Sequence, residues 1–288
     1  MKKTLLTLIC ALLLLLCSCR TDPGTQTTEE LPSELPELEI VFIDVGKADC
    51  ILIRSEGGNM LIDAGYKSSK SVIKDTLSDL GVKKIDIAVA THSHKDHIGS
   101  MAYVIEKYGV KTLYAPQIEP DTDLYRDMSE AASLRGCSVI KAKDGLTFSL
   151  GYAKFRILSP SSKLVAQGDE NEASTVIRMD YGGVSVLFMA DAMQRAEASL
   201  ASAHRDEIKV DVIKIGHHAT EETCTPSFLQ KTGAKYAVIS TGDGQDPSEQ
   251  ALKTISECGM TLYRTDADGT VTMKTDGKTI NFLAAGKE

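Results

Sequence analysis

The stretch Ile85-Asp-Ile-Ala-Val-Ala-Thr-His-Ser-His-Lys-Asp-His97 decides how this chain reads. Residues 85–90 form a short apolar run, which predicts a buried strand, and the run passes directly into Thr91 and then three histidines and an aspartate. The sequence holds six histidines: five lie here and in Gly216-His-His218, and His204 lies elsewhere. Imidazole and carboxylate are the ligands of zinc, and they also serve iron and manganese. On an extended segment His92 and His94 project to the same side. Asp96 and His97 open the helix that follows, so the chain folds back and one short segment offers ligands to two ions. A set of this kind directly after a buried strand stands where α/β sheets place their sites, which separates it from a solvated His-rich loop or from hydrogen-bonded core histidines.

Upstream, residues 38–46 and 49–54 predict two strands joined at Gly46-Lys-Ala48, and Gly57-Gly58 turns into a third strand over 59–63. A helix over 70–80, stopped by Gly81, leads to the central strand. Downstream, a helix over 96–108, a strand over 111–114, a helix over 123–134 and a strand over 138–141 alternate. Strands over 146–150, 153–158, 174–180 and 185–189 follow without intervening helices, the last pair turned by Gly182-Gly183. Helices over 192–201, 227–231 and 248–258 then alternate with strands over 210–215 and 236–240, and closing strands run to 283. Two β-rich blocks that each carry helices predict an α/β fold in which sheet packs on sheet with helices outside, an α/β/β/α sandwich.

The chain begins with Lys2 and Lys3, an apolar run over 5–16, and Leu16-Cys-Ser-Cys19. A basic start, a short apolar core and a small residue before a cut site read as a secretory signal, and the run is too short for a stable membrane span. Leu16 and Ser18, at −3 and −1 of Cys19, resemble the lipobox of bacterial lipoproteins. That predicts a leader over 1–19, a lipid on Cys19 and a membrane-anchored protein outside the cytoplasm; a plain secretory signal is the alternative. Cys17 fits less well, because Leu16 would then occupy a position that prefers a small side chain.

Residues 20–38, rich in Thr, Glu and Pro, read as a disordered tether, and residues 39–288 as one catalytic domain long enough for a well-developed core. The net charge of −8, with no cluster of Lys and Arg, argues against tight nonspecific nucleic-acid binding through counterion release. It leaves a nuclease open, because a metal pair supplies local positive charge. Cys50, Cys137, Cys224 and Cys258 are widely separated and form no CxxC pair, which argues against a thiolate metal site, and Cys50 reads as core. No feature points to a protein partner.

His92-Ser-His-Lys-Asp-His97 has the HxHxDH pattern, and on it the chain resembles the metallo-β-lactamase superfamily. The superfamily's other blocks occur in the same order: Asp63 of Leu61-Ile-Asp-Ala-Gly65, Asp191 of Phe188-Met-Ala-Asp-Ala192, and Gly216-His-His218. Within it, four blocks resemble the FLDVGQGD, NNxS, KVGHHGS and TDxxGxI segments of the hydrolase domain of ComEC-type DNA-uptake proteins. They are Phe42-Ile-Asp-Val-Gly-Lys-Ala-Asp49, Asn171-Glu-Ala-Ser174, Lys214-Ile-Gly-His-His-Ala-Thr220 and Thr265-Asp-Ala-Asp-Gly-Thr270. The resemblance spans residues 40–283.

The resemblance implies the metallo-β-lactamase fold and hydrolysis with one or two divalent ions, zinc or alternatively manganese. It implies that His92 and His94 with Asp191 hold a first ion, and that Asp96, His97 and Asp191 hold a second. Either His217 or His218 completes the set; His218 aligns better with the family's last ligand, which leaves His217 to hydrogen-bond an oxyanion or leaving group. Asp96 serves as a ligand alone or also takes the proton of an attacking water. Asp63 and Asp49 are expected to support the ligands through hydrogen bonds, and Asp44 either does the same or only forms a turn.

Lys47 and Ala48 replace the usual Gln and Gly, and Ala190 replaces a glycine, a change expected to be mild. The third-motif histidine is missing, with Asn171 near its place in a supporting role, so the first ion is expected to be the more loosely held. The expected function is that of a phosphodiesterase or, more narrowly, a nuclease acting on extracellular DNA. A phosphorylcholine esterase or other cell-envelope hydrolase is the enzymatic alternative, and a noncatalytic, metal-stabilised binding module the other class. A β-lactamase is disfavoured by the motif set.

Overall fold

A computed structural model describes residues 32–242, 244 and 246–286. The leader and Cys19 lie outside the described residues. Strands β1 (Leu38–Phe42), β2 (Ile51–Ser55), β3 (Gly58–Ile62), β4 (Ile87–Val89), β5 (Thr112–Ala115) and β6 (Ser138–Lys141) enter a first sheet. The second sheet is built from β7 (Thr147–Leu150), β8 (Ala153–Ser159), β9 (Val176–Tyr181), β10 (Val184–Phe188), β11 (Val212–Lys214), β12 (Tyr236–Ile239) and β13 (Thr261–Arg264). Strands β14 (Val271–Thr275) and β15 (Ile280–Ala284) return to the first sheet, where β14 pairs antiparallel with β1, Ile40 opposite Met273.

Helices α1 (Lys70–Asp79), α2 (Lys95–Ile98), α3 (Met101–Tyr108) and α4 (Asp123–Leu134) fall in the first block of the chain. Helices α5 (Ser162–Gln167), α6 (Gln194–Ala203), α7 (Pro226–Thr232), α8 (Glu249–Glu257) and α9 (Thr265–Asp268) fall in the second.

The strands are apolar on both faces, and this dictates the layering. In β1, Ile40 and Phe42 turn toward a core shared with Phe155, Ile177 and Phe188 of the second sheet, whereas Val41 packs with Ile73, Val104 and Met128 of the outer helices. In the second sheet, Leu187, Ile213 and Ala237 pack in the same way under Leu200, Phe228 and Ile255. Three apolar layers separated by two sheets make the α/β/β/α sandwich that element order predicts.

Three local expectations are corrected. The single helix over 96–108 is broken at Ser100, which leaves helical backbone (φ −110°, ψ 11°) and donates its hydroxyl to the Tyr66 carbonyl at 2.7 Å. Helix α5 was not foreseen; its N-terminus is capped by Ser161, whose hydroxyl accepts from Leu164 N–H. The expected tether end, up to residue 38, is bound to the domain from Leu35 onward. Leu35 packs on the inter-sheet core, Tyr181 Oη donates to the Pro36 carbonyl at 2.6 Å, and Leu38 pairs with Thr275. Its leucines find apolar surface, so this part behaves as the first residues of the sheet.

The sheets bring their functional loops to one place. β3 and β4 run parallel and end at Asp63 and Thr91, while β10, β11 and β12 run parallel and end near Asp191, His217 and Ser240. The amide of Thr175, just before β9, donates to the Thr91 carbonyl at 3.0 Å and ties the loops of the two sheets together.

Candidate metal centre

Six side chains gather between these strand ends in two groups that share one residue. Donor atoms of Asp96, His97, Asp191 and His218 all lie within 4.8 Å of one another, and so do those of His92, His94 and Asp191. His92 Nε2 and His94 Nδ1 approach to 3.1 Å, as the i, i+2 spacing predicts. His218 Nε2 lies 3.6 Å from both Asp96 Oδ2 and Asp191 Oδ1. His97 Nε2 is 3.2 Å from Asp191 Oδ2, out of line for a hydrogen bond.

The two central imidazoles are aimed from behind. His97 Nδ1 bonds Asp63 Oδ2 at 2.7 Å, and His218 Nδ1 donates to the Ser240 carbonyl at 2.8 Å, so both rings turn Nε2 toward Asp191. Asp63 also accepts the Thr91 amide at 2.9 Å and the Thr91 hydroxyl at 2.7 Å, which fixes the start of the histidine loop. Asp49 forms a buried ion pair with Lys214 and lies 3.9 Å from His218 Nδ1. Asp44 Oδ1 accepts the Gly46 amide, the turn-forming role.

The turn that carries His217 and His218 is strained. His217, His218 and Ala219 stand consecutively in the left-handed region at φ 41°, 53° and 61°, a conformation costing about 1 kcal/mol or more per L-residue. It is held by the His217 amide donating to Ala190 O at 2.9 Å, the Ser248 amide donating to Ala219 O at 2.9 Å, and the Ser240 contact. A Cβ on Gly216 would meet the Ala192 carbonyl oxygen at 2.4 Å, so glycine is required there.

Charge at the centre is unbalanced by burial. Burial opposes a charge on His97, yet Asp191 and then Asp63 outweigh it and hold the imidazole well above the ordinary histidine range. Burial, with the charge on His97, pushes His92 well below that range. Burial opposes ionisation of Asp191 and Asp96, but the neighbouring histidines win: Asp191 is held well below the ordinary carboxylate range and Asp96 at about 2. For Asp63 burial prevails and raises the carboxyl. Buried carboxylates so arranged call for positive charge among them. Among the described residues His97 Nε2, His218 Nε2 and Asp191 Oδ1 are buried without a hydrogen-bond partner, which is rare for such atoms, and an ion held by this set would satisfy all three. Histidine nitrogens and carboxylate oxygens fit one or two ions of the zinc or manganese kind.

His217 sits at the more open side with His94. Its Nε2 is 3.8 Å from Asp191 Oδ2 and 3.4 Å from Asn171 Nδ2, and its Nδ1 is 3.0 Å from Thr220 Oγ1. Burial lowers its basicity; Asp191 pulls the other way, and the charges on His218 and Lys47 add to the lowering. Beside it Asn171 Oδ1 is buried with no hydrogen-bond partner among the described residues. Sequence reasoning gave no role to Thr91, Lys214, Thr220 or Ser240. A lysine in the apolar run Val212-Ile-Lys-Ile215 was the one legible signal among these.

The profile of the metallo-beta-lactamase superfamily matches residues 43–243. The ComE operon protein 3 of Bacillus subtilis is 26% identical over 256 residues, covering 82% of this chain and 33% of its own length. The competence protein ComA of Neisseria gonorrhoeae is 27% identical over 244 residues, covering 83% of this chain and again 33% of its own length. The chain thus spans about a third of these ComEC-type relatives. The metallo-beta-lactamase fold protein YhfI from Bacillus subtilis superposes with a TM-score of 0.55 over 86% of this chain and 99% of its own, at 12% identity, a likeness of fold.

Proposed function

The chain belongs to the metallo-β-lactamase superfamily, and from that membership we propose that it is a metal-dependent phosphodiesterase working outside the cytoplasm. The observation that carries the reading is the sharing of Asp191 between two donor groups, the layout of a two-ion hydrolytic centre. His92, His94 and Asp191 would hold one ion, and Asp96, His97, Asp191 and His218 the other. Bound there, a zinc or manganese pair supplies Lewis acidity toward a phosphoryl oxygen and makes water acidic enough to attack near neutral pH.

The chain's own groups supply the rest. Asp96 is ionised at neutral pH and its carboxylate is partly open to solvent, so it would orient the attacking water and relay the released proton to solvent rather than keep it. His217 is uncharged at neutral pH. Its Nδ1 meets Thr220 Oγ1 and its Nε2 faces Asn171 and the open side of the centre, a placement from which the ring would hydrogen-bond a charged or departing oxygen. Likeness to competence proteins favours DNA among phosphodiesters.

The test is turnover. Purified protein loaded with zinc or manganese is expected to cleave bis-p-nitrophenyl phosphate, and His94→Ala to abolish this. Failure with either metal, on that reagent and on single- and double-stranded DNA, overturns the proposal; cleavage of choline phosphodiesters but not DNA moves the substrate to the cell envelope. Export and anchoring rest on the pattern of residues 1–19. They predict labelling by radioactive palmitate that is lost on Cys19→Ala.

A further inference from the structure

Lys214, the last residue of β11, is fully buried, and its neighbours along the chain are Val212, Ile213 and Ile215. Lysine is almost never found fully buried unless paired. Its Nζ lies 2.9 and 3.0 Å from the two carboxylate oxygens of Asp49 and donates to the Ile215 carbonyl at 2.9 Å. Asp49 is itself buried, on the loop between β1 and β2 of the opposite sheet. Its amide donates to the Asp96 carbonyl at 3.2 Å and its carbonyl accepts the Gly65 amide at 2.9 Å. Its Oδ1 lies 3.9 Å from His218 Nδ1. Through its main chain Asp49 thus holds the loop of Asp96, and through its side chain the strand end that leads to His218.

The two donor groups depend on this differently. His92 and His94 come from one loop, fixed by Thr91 and Asp63, and Asp191, though it follows a strand of the second sheet, stands in a turn closed by the Ala192 amide donating to the Met189 carbonyl at 3.0 Å. Asp96 and His218 come from different sheets, so their spacing is set by whatever joins the sheets at that point. A buried ion pair is a poor source of stability, since apolar residues of similar volume often do as well. Its directional contacts fix position, and position is what a pair of ligands from two sheets requires.

Resting on the two-ion reading above, we propose that the Lys214–Asp49 ion pair is a positioning device that sets His218 against Asp96 and thereby fixes the ion affinity of the Asp96–His97–Asp191–His218 group. The His92–His94–Asp191 group is left unaffected.

The experiment is metal titration of the full chain with zinc, read by competition with a chromogenic chelator and by metal content after dialysis. Lys214→Met alone strands a buried carboxylate and risks the fold, so the decisive variant is Lys214→Met with Asp49→Leu, its folding checked by near-ultraviolet circular dichroism. The wild type is expected to hold two ions. The double variant is expected to keep one at wild-type affinity and to bind the other about 10- to 100-fold more weakly, the range for loss of groups that orient ligands. In a His218→Ala background the double change is expected to add nothing. Two ions at wild-type affinity in the double variant, or equal weakening of both, overturns this inference alone. A wild type that holds fewer than two ions overturns the two-ion reading, and the inference with it.

Discussion

The carbonyl of Ala190 accepts the His217 amide at 2.9 Å, and both residues stand in the left-handed region, at φ 49° and 41°. The turns that carry Asp191 and His218 are therefore tied to one another, each strained. Alanine in place of the usual glycine is not as mild here as the sequence suggests. Left-handed backbone costs a residue with a Cβ about 1–2 kcal/mol, partly offset because alanine restricts the unfolded chain by about 0.4–1 kcal/mol. Ala190→Gly is expected to raise stability by about 1 kcal/mol, on the order of 2–4 °C in Tm, with metal content unchanged. A lower Tm in differential scanning calorimetry would show that the turn stores no such strain.

Gly216→Ala tests the opposite turn. The new methyl meets backbone, the Ala192 carbonyl oxygen at 2.4 Å, and backbone cannot swing aside as a side chain does. A loss of about 1–3 kcal/mol is expected from overpacking, accompanied by reduced metal uptake because His217 and His218 follow directly. Urea denaturation and metal analysis on the same sample check both.

Asp63→Asn leaves an isosteric group but removes the carboxylate that accepts from Thr91 and faces His97 Nδ1. Metal affinity is expected to fall about 10- to 100-fold, the usual effect of losing a group that orients a histidine ligand. Unchanged affinity in a chelator competition would contradict the role given to Asp63.

Acid should loosen the hairpin between β14 and β15 before the rest of the sheet. The amides of Thr279 and Lys278 and the Thr279 hydroxyl donate to Asp276 and hold its carboxyl at about 2, below its ordinary 3.8. A depressed carboxylate contributes stability that is present above its unfolded value and lost as pH falls through the folded one. Protection factors at Lys278 and Thr279, after division by the intrinsic exchange rate at each pH, are expected to fall between about pH 4 and pH 2, and Asp276→Asn to make them insensitive to pH over that range.

The candidate cluster was legible because it is local: one strand end supplies His92, His94, Asp96 and His97, and only Asp191 and His218 come from afar. The layering was legible too, because apolar residues on both faces of strands such as β1 leave no face for water. What escaped was long-range. Ser240 acts on His218 through its carbonyl, which no residue type announces, and Lys214 finds Asp49 across 165 positions. The break at Ser100 arises from a contact with Tyr66, and the binding of Leu35 from a surface that only the two sheets together provide.

The return of β14 to β1 has a consequence for how the molecule is made. Glu37, just before β1, meets Lys274 of β14, 237 positions later. A chain emerging from its N-terminus therefore carries β1 with one open edge until nearly all of the sequence has followed. Contacts of such separation are slow to form, and unpaired strand edges invite pairing with other chains. A protein stopped short of Val271 would retain every residue of the candidate metal centre and still present that edge, so its failure would be one of assembly rather than chemistry.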